Sequence, residues 1–178
     1  AYPEPAETER TFEGNALLKA RAAVAATGHI AVADDSGLEV DLFNGMPGVR
    51  SARWSGPEAS DRSNLDLLLA QLAGTAEAYR TARFVCAMAL VTPAGDEHLV
   101  RGVMEGHLVL EPRGSNGFGY DPAFVAEGNT VTNAELTPEQ KDAISHRGRA
   151  VRAIVPVLGA YVSAPVPEEP ARNEPAPR

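Results

Sequence analysis

The stretch that most constrains the fold is Ala82 to Val103. Ala82–Val91 and His98–Val103 read as strands, and Thr92-Pro93-Ala94-Gly95-Asp96 between them has hairpin turn chemistry. A further short strand is expected at His107-Leu108-Val109-Leu110, and a last one at Ala123-Phe124-Val125. Helical runs flank these strands. EGNALLKARAAVAAT, Glu13 to Thr27, is rich in strong helix formers and stops at Gly28. Ser60 to Leu72 carries Leu65, Leu68, Leu69 and Leu72 at helical spacing, which marks them as core. Thr137 N-caps a short helix with Pro138 in its first position, and a closing helix runs from about Arg149 to Tyr161. Hairpin strands with flanking helices mean an α/β or α+β fold with a mixed sheet.

Upstream, Ala33-Asp34-Asp35-Ser36-Gly37 lies between the apolar run His29–Ala33 and Leu38–Leu42. It reads as a turn between two strands, rich in residues that hydrogen-bond their own backbone. Successive strand side chains point to opposite faces, so Asp34 and Asp35 cannot both look into one site. One of them serves a cleft at the strand end and the other ties down the turn.

The length of 178 residues suits a single domain with a real core. We place that domain at residues 1–163. From Ala164 to Arg178 the composition is Pro, Glu, Ala and Arg, which is expected to be a disordered tail. A net charge of −8 argues against a nucleic acid polymer as partner, since phosphate backbones are held by clustered Lys and Arg. It leaves room for a small anion arriving with a divalent cation. Lys19 and Lys141 are the only lysines. Cys86 is the only cysteine, so neither a disulfide within the chain nor a cysteine zinc site can form. This fits a reducing, cytoplasmic setting, and Cys86 among apolar neighbours reads as a buried strand residue. No apolar stretch reaches membrane-spanning length, so no membrane association is expected.

Four polar constellations could carry chemistry. They are Glu7, Asn15 with Lys19 four residues apart on one helix face, Asp34-Asp35-Ser36, and Gly117-Phe118-Gly119-Tyr120-Asp121 with Lys141 and Ser145-His146-Arg147. Each has an ordinary structural reading alone: solvated charges, a glycine-rich turn, a helix N-cap. Together, carboxylate oxygens suit a hard cation such as Mg²⁺, and two lysines with an arginine suit a polyphosphate. Phe118 offers a flat face to a base, and Arg147 a donor fork to a carbonyl. The set describes a nucleotide phosphohydrolase.

Five motifs occur in order: Thr11-Phe12-x-x-Asn15-Ala16-x-x-Lys19-Ala20, Ala33-Asp34-Asp35-Ser36-Gly37-Leu38, Pro47-Gly48-x-x-Ser51-Ala52-Arg53-Trp54, Phe118-Gly119-Tyr120-Asp121-Pro122 and Lys141-x-Ala143-x-Ser145-His146-Arg147-Gly148. From about Glu7 to Leu158 the chain resembles the noncanonical purine nucleoside triphosphate pyrophosphatases, the inosine/xanthosine triphosphatase (dITP/XTP diphosphatase) family. The resemblance implies an α/β fold, a long mixed sheet with flanking helices forming two lobes around a central cleft. It implies a homodimer that uses Mg²⁺ to hydrolyse ITP, dITP and XTP to the monophosphate and pyrophosphate, clearing deaminated purines from the nucleotide pool. Carried over by position, Asp35 is proton acceptor and metal ligand, and Glu7 a second metal ligand. Ser36, Phe118, Gly119, Tyr120, Asp121, Lys141, His146 and Arg147 fall on substrate-binding positions, and Lys19 meets the phosphates.

The match departs from the family in two places. The family's N-terminal strand and its Ser/Thr-x-Asn-x-x-Lys phosphate loop should precede Ala1, so the chain reads as a fragment of a longer protein. The expected glutamate of Phe-x-Glu-Asn-Ala is Gly14 here, with Glu13 one residue early and about 100° away on a helix. These departures leave two other readings open, a catalytically impaired nucleotide-binding or dimerisation module and a pyrophosphatase for other modified nucleotides.

Overall fold

The computed structural model describes residues 2–163. The expected tail, 164–178, lies outside them. The element order is α1 (Phe12–Thr27), β1 (Ala31–Val40), a 3₁₀ segment at Gly48–Arg53, α2 (Asp61–Leu72), β2 (Thr81–Val91), β3 (Glu97–Leu108), β4 (Phe124–Ala126), α3 (Pro138–Ile144) and α4 (His146–Val162). This is the α/β architecture with helices on a central sheet. Thr11 opens α1 by accepting a hydrogen bond from the Gly14 amide, and Gly28 closes it at a φ of 70°. Ser60 and Thr137 cap α2 and α3 with reciprocal capping boxes.

The strands stand in the order β1-β2-β3-β4, and every pairing among the described residues is antiparallel. No parallel pair of the expected mixed sheet occurs among them. β2 and β3 form the hairpin read from the sequence, and β1 pairs with β2 from Ala31↔Val91 to Val40↔Ala82.

Two local expectations are corrected. Asp34 to Gly37 is no turn: it lies inside the single ten-residue strand β1. Ladder partners on β2 satisfy this backbone, so tertiary pairing overrides the turn preference of Asp-Asp-Ser-Gly. Likewise, His107 and Leu108 are the end of β3 rather than a separate strand. Gly102 and Gly106 do not break β3, because both are points of close approach. A Cβ at Gly102 would lie 2.0 Å from the His146 carbonyl oxygen, and one at Gly106 would lie 2.2 Å from that of Val125.

Alternation along the strands divides the core. On one face Phe12, Ala16 and Ala20 of α1 pack on Val85, Ala87, Ala89 and Val91. On the other, Ala150 and Ile154 of α4 pack on Cys86, Met88 and Leu90. A third cluster joins Leu65, Leu68 and Leu72 of α2 to Leu38, Val40, Phe84, Met104, Tyr120 and Phe124. β2 thus has helices on both of its faces, and the polar residues gather on its neighbour β1.

Candidate active site

Asp35 points to the α1 face of the sheet and is buried. Asn15 Nδ2 donates to its Oδ2 at 2.9 Å, and Lys19 Nζ to its Oδ1 at 3.3 Å. Lys19 also donates to Glu7 Oε1 at 2.7 Å and to the Asp34 carbonyl at 3.3 Å. Arg53 Nη1 holds the other Glu7 oxygen at 2.9 Å. The helical spacing of Asn15 and Lys19 sets both donors over one carboxylate. Burial raises the pKa of Asp35, and the Glu7 charge adds to this against the donors Asn15 and Lys19. Glu7 moves down instead, because the bonds from Lys19 and Arg53 outweigh its burial. For Lys19 too, burial opposes the charge but Glu7 and Asp35 raise its pKa.

Glu7 and Asp35 thus converge on one ammonium. Among the described residues no group of three or more His, Cys, Asp and Glu side chains is placed to hold a metal. Two carboxylates about a point that already holds positive charge nevertheless fit Mg²⁺, which usually takes one or two protein carboxylates and completes its shell with water and phosphate oxygens.

Asp34 points to the opposite face. Its Oδ2 accepts from Ser36 Oγ at 2.9 Å and Arg147 Nη2 at 2.9 Å, and the Cys86 thiol lies 3.7 Å away. Beyond this group opens a cleft of about 150 Å³, lined by residues that include Leu38, Phe84, Phe118, Tyr120, Lys141 and His146. Its wall is built by a buried carboxylate. Asp121 Oδ2 accepts the Phe118 amide at 2.9 Å and takes Lys141 Nζ as ion-pair partner, while Asn133 donates to Oδ1 at 3.2 Å. Lys141 Nζ stands 4.8 Å from the Phe118 ring centroid, and that ring is 64% exposed, a flat apolar surface open to a ligand. Asp61 anchors the Gly119 amide at 2.8 Å, and the Tyr120 hydroxyl donates to the Ser51 carbonyl at 2.8 Å.

His146 begins α4, stacked on Phe84 with centroids 5.0 Å apart. Burial, with Arg147 and Lys141 nearby, lowers its pKa to about 4, so the imidazole is neutral at pH 7. Its buried Nδ1 has no hydrogen-bond partner among the described residues. A buried ring nitrogen without a partner, in a cleft beside an exposed aromatic, is a place for a ligand polar atom.

The profile of the Ham1 family matches residues 1–157. The chain belongs to the Ham1 family. A dITP/XTP pyrophosphatase of Cutibacterium acnes is 60% identical over 162 residues, covering 90% of this chain and 79% of that protein. The crystal structure of the nucleoside-triphosphatase / dITP/XTP pyrophosphatase of Mycobacterium abscessus superposes with a TM-score of 0.77 at 56% identity, over 89% of this chain and 81% of that one. The Ham1 protein of Staphylococcus aureus gives 0.83 at 41% identity, over 88% and 80%.

In this Ham1 chain the singled-out residues assemble into two centres on opposite faces of β1. Glu7, Lys19 and Asp35 form one. Ser36, Phe118, Gly119, Tyr120, Asp121, Lys141, His146 and Arg147 all line the other. Residue type pairs Lys141 with Lys19 on a polyphosphate, whereas the fold sets Lys141 beside Phe118. Asp61, Phe84 and Asn133 support the site without a sequence signal, because their partners are 12 to 62 residues distant in the chain, and Arg53, quoted in a motif but given no role, proves to hold Glu7. The departure at Gly14 also has a structural context: a Cβ there would lie 2.7 Å from Glu9 Cβ, so Glu9 fills that space. Glu13 instead pairs with Arg101 of β3 at 3.0 Å.

Proposed function

We propose that this protein is a nucleoside triphosphate pyrophosphatase that converts ITP, dITP and XTP to the monophosphate and pyrophosphate. One observation carries the reading. Adjacent residues of β1 serve a carboxylate–lysine centre on one face and an aromatic, donor-lined cleft on the other, the two ends that a nucleotide needs.

At the first centre, Asp35 receives or orients the proton of the attacking water. Its raised pKa makes it a better base than an exposed aspartate, while Asn15 keeps the carboxylate aimed. Lys19 holds phosphate oxygens and offsets charge as pyrophosphate leaves. Glu7 and Asp35 are the residues that would hold Mg²⁺, which when bound withdraws charge from the phosphorus under attack.

At the second centre the base lies on Phe118, with Lys141 at the edge of that shelf. Inosine and xanthosine carry a carbonyl at purine C6 where adenine carries an amino group. Arg147 can only donate, so it pairs with the carbonyl and confronts the amino group with a second donor. A donor covered by the bound base and left unpaired is costly, and rejection of ATP by about a hundredfold or more follows.

The decisive measurement is pyrophosphate release from ITP, XTP and ATP with Mg²⁺. Rapid ITP and XTP hydrolysis, slow ATP hydrolysis and loss of activity on chelation are expected. Equal rates on ITP and ATP would refute the base reading, and binding of ITP without release would mark an impaired enzyme. We also infer a homodimer, as the family resemblance implies, which light scattering in solution tests. A lone buried Cys86 supports the cytoplasm as its compartment. No helix among the described residues is long and apolar enough to cross a membrane.

A further inference from the structure

We propose that Asp34 is a positioning residue that fixes Arg147 for reading the purine C6 carbonyl. The proposal rests on the base reading above, and it gives the two adjacent aspartates separate tasks. Asp35 serves the reacting phosphates, and Asp34 serves selectivity through Arg147.

The geometry is a closed triangle. Arg147 Nη2 donates to Asp34 Oδ2 at 2.9 Å and to Ser36 Oγ at 3.1 Å, and the Ser36 hydroxyl donates to the same Asp34 oxygen at 2.9 Å. Every donor has an acceptor, and the Ser36 hydroxyl plays both parts. Both arginine bonds use Nη2, so Nη1 and Nε remain for a ligand. Asp34 and Ser36 are two apart on β1, which places them on one face by strand periodicity.

Arg147 needs such an anchor for two reasons. Its side chain is 52% exposed, free enough to swing into solvent if released. It also stands in the first turn of α4, where Ser145 accepts the Gly148 amide at 2.9 Å. The amides of a helix N-terminus repel a cation, so a guanidinium there is held in place only against an opposing charge. Asp34 supplies that charge. It is the carboxylate that Arg147 meets, at 2.9 Å. The Asp34 carbonyl meanwhile accepts from Lys19 at 3.3 Å. One residue therefore touches the cation of each centre, through its side chain on one face and its backbone on the other.

The test is a double-mutant cycle of Asp34→Ala, Arg147→Ala and both, with kcat and KM measured for ITP and for ATP. Asp34→Ala is expected to lower the ITP-over-ATP ratio of kcat/KM by about tenfold, the scale of one charge-assisted hydrogen bond. The change should appear mainly as a higher KM for ITP. The double variant should discriminate no worse than Arg147→Ala alone. Asp34→Asn, which keeps the shape and one acceptor but not the charge, should fall between, and it replaces Asp34→Ala if that chain does not fold. A selective wild type with equally selective Asp34 variants overturns this proposal alone, as do losses that add in the double variant or that fall equally on ITP and ATP. A wild type indifferent to the base overturns both the base reading and this proposal.

Discussion

Replacing Asp35 by Asn separates what its carboxylate does for chemistry from what it does for the fold. The amide keeps the shape of the side chain. One of its two positions must now be a donor, and both neighbours, Asn15 Nδ2 and Lys19 Nζ, are already donors. Asn15 cannot simply turn round, because its Oδ1 accepts the Glu9 amide at 3.0 Å. One hydrogen bond is therefore lost, a cost of about 0.5–1.5 kcal/mol. Against this, the wild-type carboxylate is ionised at a cost, since burial and Glu7 raise its pKa on folding. For an acid with a raised folded pKa that penalty is absent below the unfolded value and complete above the folded one, so it is present at pH 7. The neutral amide removes it. The two effects oppose each other, and the unfolding free energy should change by no more than about 1 kcal/mol. Turnover should fall by about a thousandfold, close to 4 kcal/mol of barrier, the range expected for a lost general base. Urea unfolding followed by tryptophan fluorescence gives the first quantity, and pyrophosphate release from saturating ITP gives the second. Wild-type turnover would remove Asp35 from the chemistry. A loss of stability beyond about 3 kcal/mol would show instead that its buried, paired charge holds the fold.

Two further perturbations test the supports of the cleft. Gly102→Ala puts a methyl 2.0 Å from the His146 carbonyl and 2.6 Å from the Ala150 amide, so α4 must shift with Arg147 on it. Thermal unfolding should show a loss of about 2–3 kcal/mol, and KM for ITP should rise; unchanged values for both would mean that the α4 start is not tightly seated. His146, with a pKa lowered to about 4, should make stability depend on pH. Its contribution is complete above the unfolded value near 6.5 and is lost as pH falls toward 4, by up to about 3 kcal/mol, so His146→Phe should flatten that part of the stability–pH curve.

Much of this molecule was determined by local sequence. Helix starts at Thr11, Ser60 and Thr137 follow from side chains bonding amides three residues on, and the β2–β3 hairpin follows from its five-residue connection. Period-2 geometry separated Asp34 from Asp35, and helical spacing placed Asn15 and Lys19 together. The motifs singled out Lys19, Asp35 and the polar residues that line the cleft. Tertiary structure alone decided the rest. Asp34 to Gly37 is strand because β2 satisfies its backbone, a partner some fifty positions away that no local preference can sense. Gly102 and Gly106 are points of close approach, and only packing shows what a missing Cβ makes room for. Lys141 joined Phe118 and Asp121 rather than Lys19 because α3 delivers it to the cleft. Local chemistry determined which groups exist and which way each faces along its own element. Which charges meet was decided by long-range packing, and the pKa values of Asp35 and His146 follow from those meetings.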